Sequence, residues 1–261
     1  MNYYNYRTMK IQSLLFILLF PFCVMAQARL SQDIKGIIYD KENALDVRLH
    51  THGWMVGLDV GKIKSYYKTT FYHFQLGELK NHKESRKSTD FSSSISPSTG
   101  FRSYVFGKQN YAFAVRAGLG MKRYYSEKAA KNGVAVALSY SGGITAAIMK
   151  PYYLEVGGTK DVTFGQAIKY TPENAKNFLD PYRIRGKAGI LKGIGESSVI
   201  PGAHAQVGVH LDWGAFDEFL RAIEVGVMLD VFPKNLPIMI NEENRPFYLN
   251  LYASIQLGKR N

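Results

Sequence analysis

The chain has 261 residues, 46% of them hydrophobic and 13% aromatic, and a formal net charge of +12. Its one cysteine, Cys23, lies in the N-terminal leader, so the mature chain excludes disulfides, thiolate metal sites and cysteine nucleophiles. A basic excess of this kind answers either nucleic acid or anionic lipid phosphates; in an exported chain it points to lipid and away from nucleic acid.

In chain order, Arg7 and Lys10 precede an apolar run over residues 11–22, and Val24-Met25-Ala26 presents small or compact side chains to a signal peptidase. Residues 1–26 therefore read as a signal peptide cleaved before Gln27. The apolar run is too short to span a bilayer comfortably. Pro21 and Phe22 stand where lipid attachment to Cys23 would need small residues. Removing Arg7 and Lys10 with the leader leaves a charge of +10. No later hydrophobic run approaches the length of a membrane helix, so crossing a bilayer would require strands. Residues 27–261 read as a single domain without a Pro-, Gly- or Ser-rich linker.

Residues 36–39 form a short apolar run closed by Asp40-Lys41-Glu42-Asn43, a turn-like cluster. Residues 44–63 read as one long strand, alternating from Trp54, Val56, Leu58 and Val60 against Met55, Gly57, Asp59 and Gly61. After a reversal at residues 65–68, residues 69–79 return with Tyr72, Phe74 and Leu76 opposite His73, Gln75 and Gly77. Residues 80–100 open with a basic run and continue rich in serine, which predicts a solvated loop. Residues 101–106, 111–125 and 134–149 read as strands. Between 151 and 202 the pattern weakens, with short strand-like runs and a helix turn opened by Thr171-Pro172-Glu173.

The last sixty residues carry the cleanest signal. Ala203, Ala205, Val207, Val209 and Leu211 alternate with His204, Gln206, Gly208, His210 and Asp212. Ile223, Val225, Val227 and Leu229 alternate with Glu224, Gly226, Met228 and Asp230, and Leu249, Leu251, Ala253 and Ile255 with Asn250, Tyr252, Ser254 and Gln256. These polar rows contain no lysine, whereas a soluble outer wall of this length would carry several. Small and hydrogen-bonding residues suit a crowded barrel interior, and aliphatic rows with Trp213 and Phe247 at strand ends suit lipid with interfacial anchors. The fold class predicted is all-β, an antiparallel transmembrane β-barrel with long outer loops. With a C-terminus on the inner side, the turns at 65–68, 107–110 and 214–218 fall inside, and the loops at 80–100, 126–133 and 232–246 outside. An even count then comes to ten strands, with eight or twelve as alternatives.

If the polar rows face inward, Asp59, His73, Arg116, His204, His210, Asp212, Glu224 and Asp230 share the lumen. Interior charges in a small barrel must find partners, so a hydrogen-bonded, charge-balanced cluster is the expected reading, and no catalytic residue is assigned. An enzyme would use a histidine as general base, oriented by a carboxylate near an inward serine. A lipid-acting enzyme needs such groups at the lipid-facing surface or rim, where His204 does not fit. His50 and His52 start a metal pair without a third ligand, so no metal and no cofactor are implied. Lys80, Lys83, Arg86 and Lys87 form a basic loop able to meet lipopolysaccharide phosphates.

Lys80-Asn81-His82-Lys83-Glu84, Tyr104-Val105-Phe106-Gly107-Lys108-Gln109-Asn110, Lys150-Pro151-Tyr152-Tyr153-Leu154-Glu155-Val156 and Phe232-Pro233-Lys234-Asn235-Leu236-Pro237-Ile238-Met239 resemble recurring stretches of a family of outer-membrane β-barrel proteins from Bacteroidota. The resemblance covers most of the mature chain. It implies residence in the cell outer membrane and supplies no catalytic residues to carry over. The expected partners are outer-membrane lipid, lipopolysaccharide and other envelope proteins. The leading functional expectation is a non-enzymatic structural, binding or assembly component of the envelope. The alternatives are an outer-membrane enzyme modifying lipid or lipopolysaccharide, and a soluble periplasmic lipocalin-like carrier with its apolar rows turned inward.

Overall fold

A computed structural model describes residues 39–87, 103–126, 133–157, 166–214, 217–240 and 244–261. The chain divides into units at 1–36 and 37–261, and all described residues belong to the second. The leader, the apolar run at 36–38 and the serine-rich part of the basic loop lie outside the described residues.

The strands are β1 (Lys41–His50), β2 (Gly53–Ser65), β3 (Lys68–Leu79), β4 (Arg86–Lys87), β5 (Tyr104–Val105), β6 (Asn110–Tyr124), β7 (Ala135–Pro151), β8 (Tyr153–Val156), β9 (Gln166–Lys169), β10 (Ile184–Lys187), β11 (Ser198–Asp212), β12 (Phe219–Val231) and β13 (Phe247–Arg260). A single helical turn, α1 (Ala175–Phe178), lies between β9 and β10. Eight strands close a barrel in the order β1-β13-β12-β11-β7-β6-β3-β2, with β2 returning to β1 and every pairing antiparallel.

The count is eight, not the ten expected: the run at 44–63 gives two strands instead of one, while the run at 36–39 has no place in a barrel whose β13 pairs directly with β1, and the runs near 101–106 and 152–194 contribute no barrel strand. Residues 44–63 are not one strand: β1 and β2 form a hairpin through Thr51 and His52, with His50 paired to Gly53, and the cluster read as a turn at 40–43 begins β1. The runs near 101–106 and 152–194 are too short to cross the barrel, and they build a two-stranded sheet (β4, β5) and a three-stranded sheet (β10-β8-β9) beside it. The helix also starts later than its sequence signals suggested. Asn174 closes onto Thr171, whose backbone N–H donates to Asn174 Oδ1 at 2.9 Å, before the turn begins at Ala175.

The sidedness inferred from alternation holds. Val207, Val225 and Leu251 are 52%, 53% and 65% exposed, while their neighbours Gln206, Glu224 and Asn250 are 5%, 2% and 0% exposed. The same alternation runs through β1, where Leu45, Val47 and Leu49 face out and Asp46, Arg48 and His50 face in. Apolar rows therefore wrap the outside of the barrel and polar rows fill the inside, the reverse of what a lipocalin-like carrier requires.

The start of β1 and the end of β13 share one barrel end with the strand ends joined by the β2–β3, β6–β7 and β11–β12 connections, and the opposite end carries Thr51-His52 and the strand ends joined by the β3–β6, β7–β11 and β12–β13 connections. Two expected placements change as a result: the turn at 107–110 lies at the long-loop end, and the loop at 126–133 at the terminal end. The long-loop end is closed by apolar side chains. Phe232, Leu236, Ile238 and Met239 descend from the last loop and pack on Leu79, Met149, Ile200 and Tyr248 of the barrel wall. A second core, with Tyr104, Tyr152, Leu154, Ile168, Phe178 and Ile184, unites the two small sheets and α1 as a folded cap.

Candidate functional site

The inward rows bring the sequence-predicted cluster together as three linked groups of buried side chains. In the first, Arg116 on β6 donates from Nε and Nη2 to the two carboxylate oxygens of Asp230 on β12 at 2.7 and 2.5 Å. Thr145 lies 3.5 Å from the same carboxylate and 2.9 Å from His204 Nδ1, and His204 Nε2 meets His73 Nε2 at 2.7 Å. Two imidazole nitrogens at that separation hold one shared proton, with one ring donating and the other accepting.

The second group centres on Arg48, which the sequence reading passed over. Its guanidinium lies 2.9 Å from Asp46 and 3.7 Å from Glu224, hydrogen-bonds Gln206 and sits 4.0 Å above the Tyr252 ring. Glu224 in turn accepts from Tyr252 Oη at 2.7 Å and lies 3.3 Å from His210 Nδ1. Asp59 is buried between these groups with His73 as its cross-strand neighbour, and no ion pair includes it among the described residues.

The third group lies toward the terminal end. Lys122 donates to Glu42 at 2.9 Å and to Gln256 at 3.1 Å, and Arg260 donates to Glu42 at 2.8 Å and to Asp212 at 2.5 Å. Tyr124 donates to Asp212 at 3.3 Å, so its ring points inward instead of joining an interfacial girdle. Glu42, Lys122 and Arg260 were missed by sequence reasoning. The signal for the last two was the parity of their strands: Arg116, Gly118 and Gly120 lead to Lys122, and Ser254, Gln256 and Gly258 lead to Arg260.

This arrangement pairs most of its buried charge, with Asp59 left outside the ion pairs. His210 has a carboxylate partner, but the hydroxyl of Thr145 belongs to His204, whose other nitrogen is taken by His73. His50 and His52 do not share a strand face. Their Nδ1 atoms lie 3.3 and 2.5 Å from Asn250 Oδ1, which also accepts from Thr51 Oγ1 at 3.0 Å, so all three brace the β1–β2 turn. No group of three or more potential metal-binding side chains occurs among the described residues.

The basic loop lies at the long-loop end. Lys83, Arg86 and Lys87 are exposed, Lys80 pairs with Glu78 at 3.2 Å, and Lys87 Nζ stands 5.0 Å from the Phe106 ring. Four distant stretches, 80–84, 104–110, 150–156 and 232–239, meet in this cap. Lys108 donates to Glu84 at 2.7 Å, Tyr152 Oη accepts from the Val105 backbone N–H at 3.0 Å, and the Gln109 N–H donates to the Ile238 carbonyl at 2.8 Å. Burial raises the affinity of the Tyr152 and Tyr104 phenols for their protons, so both remain hydrogen-bond donors.

No family model matches the sequence, and no curated protein matches it. Among solved structures, the N-terminal β-barrel domain of Pseudomonas aeruginosa OprF aligns over 85% of this chain and 98% of that one, at 6% identity and a TM-score of 0.36. A likeness at that score carries no inference about function.

Proposed function

We propose that the chain is an integral β-barrel protein of the cell outer membrane, a member of the Bacteroidota family its loop stretches resemble, with a non-enzymatic structural, binding or assembly role in the envelope. One observation carries this reading: the outward aliphatic and aromatic rows stand exposed or half-exposed around the eight barrel strands while the charged side chains of the inward rows are buried. Soluble monomers rarely leave contiguous apolar patches beyond a few hundred Å² in water, and hydrocarbon is the solvent such a wall fits. An eight-stranded barrel is just wide enough for side chains to fill, and here ion pairs and the apolar plug fill it, which supports a closed lumen over a pore. The long-loop end, with its basic loop, faces outward toward lipopolysaccharide, and the terminal end faces the periplasm.

Carbonate extraction of cell envelopes tests the proposal. The protein should stay with the outer-membrane fraction and migrate faster unheated than boiled in detergent gels. Recovery in the carbonate-soluble fraction would refute it.

A further inference from the structure

The cap holds a crevice of about 360 Å³ between β4, β5, the start of β6 and β10. That volume falls within the roughly 300–1,000 Å³ of small-molecule sites. Its charges do not balance. Glu78 is answered by Lys80 at 3.2 Å and Glu84 by Lys108 at 2.7 Å, which accounts for both carboxylates lining the crevice. Arg86 of β4 and Lys187 of β10 both line it, and neither has an ion-pair partner among the described residues. Lys150 adds a third uncompensated charge behind the wall, buried with its Nζ 5.0 Å from the Tyr111 ring.

The walls have a second character. Tyr104, Tyr111 and Tyr152 line the same space. Because Tyr152 Oη accepts from Val105, its own hydrogen remains to donate. Lys108 is 2% exposed and held by Glu84, so it enters the lining as a fixed ammonium and not as a solvated surface lysine. A guanidinium fork and an ammonium recognise a phosphate, and tyrosine rings and phenols recognise the faces and hydroxyls of a sugar.

We propose that the cap crevice binds a phosphorylated saccharide, its phosphate held by Arg86 and Lys187 and its sugar ring against the tyrosines. This rests on the reading of an outward-facing cap and names what that cap meets. The same chemistry is found on the phosphorylated sugars of lipopolysaccharide and on free sugar phosphates.

The experiment is calorimetric titration of the purified full chain in detergent with glucose 1-phosphate, inorganic phosphate and glucose. Glucose 1-phosphate should bind saturably, roughly tenfold tighter than phosphate, with glucose silent. Arg86→Gln and Lys187→Gln should each weaken it by roughly tenfold or more, and Lys234→Gln, on an exposed part of another loop, should leave it unchanged. No saturable binding, equal binding of phosphate and glucose 1-phosphate, or binding indifferent to both variants would overturn the proposal. Unheated gel migration confirms that each variant is folded. A second arm, with lipopolysaccharide before and after phosphatase treatment, identifies the source: phosphate-dependent capture names the lipid, and capture of glucose 1-phosphate alone names a soluble ligand. The titration does not depend on where the chain resides, so its failure and a failure of membrane insertion are separate results.

Discussion

Arg116 reaches across the barrel interior to Asp230 as a two-point pair, although β6 and β12 are separated by β7 and β11 in the wall. The pair is a strut inside the barrel, not a contact between neighbouring strands. Both side chains are almost fully buried, so each is the other's main compensation for lost hydration.

Removing one end should therefore be far worse than removing both. Arg116→Ala strands a buried carboxylate and should cost about 3–5 kcal/mol, whereas the double variant Arg116→Met with Asp230→Leu should cost much less or stabilise. Urea unfolding in lipid vesicles, followed by the fluorescence of Trp54 and Trp213, measures both. A single variant as stable as the parent would show that the strut adds nothing.

Asn250 is the tertiary partner of the β1–β2 turn, accepting from Thr51 Oγ1 at 3.0 Å and from the His52 backbone N–H at 3.2 Å. Asn250→Ala removes the acceptor these groups share, leaving the His52 N–H only His50 Nδ1 at 3.3 Å, and should cost about 1 kcal/mol. Amide hydrogen exchange should rise first at Thr51 and His52. Exchange that rises uniformly around the barrel would contradict this local role.

That contact also explains what was and was not legible beforehand. Thr51-His52 has none of the Asn-Gly chemistry that marks a two-residue hairpin, because the turn is held by a side chain about two hundred residues away. Its readable trace was a change of parity: the apolar row sits on odd numbers through Leu45, Val47 and Leu49 and on even numbers from Trp54 onward. Missing that change hid β1, and with it Glu42, Asp46 and Arg48. The sidedness of β11, β12 and β13 was legible because alternation and the absence of lysine are local. Which inward charge meets which was not, since Arg116–Asp230 and Lys122–Glu42 depend on closure and register rather than on spacing along the chain.

Close packing of the interior makes a second class of substitution costly. A Cβ on Gly118 would lie 2.8 Å from His73 Cε1 and collide with the Gly142 carbonyl across the β6–β7 pair. Gly118→Ala should cost about 1–3 kcal/mol through overpacking. His73→Ala relieves only the ring contact, so Gly118→Ala should cost less in the His73→Ala background than in the parent, without becoming neutral. Purely additive urea midpoints would mean that ring and glycine do not compete for space.

The last test separates the two solvents the wall could face. Val207 lies near the middle of β11 on the outward row, and Phe247 opens β13 at the long-loop end. Against hydrocarbon, a lysine costs about 2–4 kcal/mol at the bilayer midplane and about 0–1 near the interface. Against water, neither position would penalise it, and both substitutions would replace an exposed apolar side chain with a soluble one. Val207→Lys should thus destabilise the barrel in lipid vesicles by about 2–4 kcal/mol and Phe247→Lys by much less on charge grounds. Two equal and small losses would place the outer rows in water, and the apolar wall would then need a protein partner to cover it.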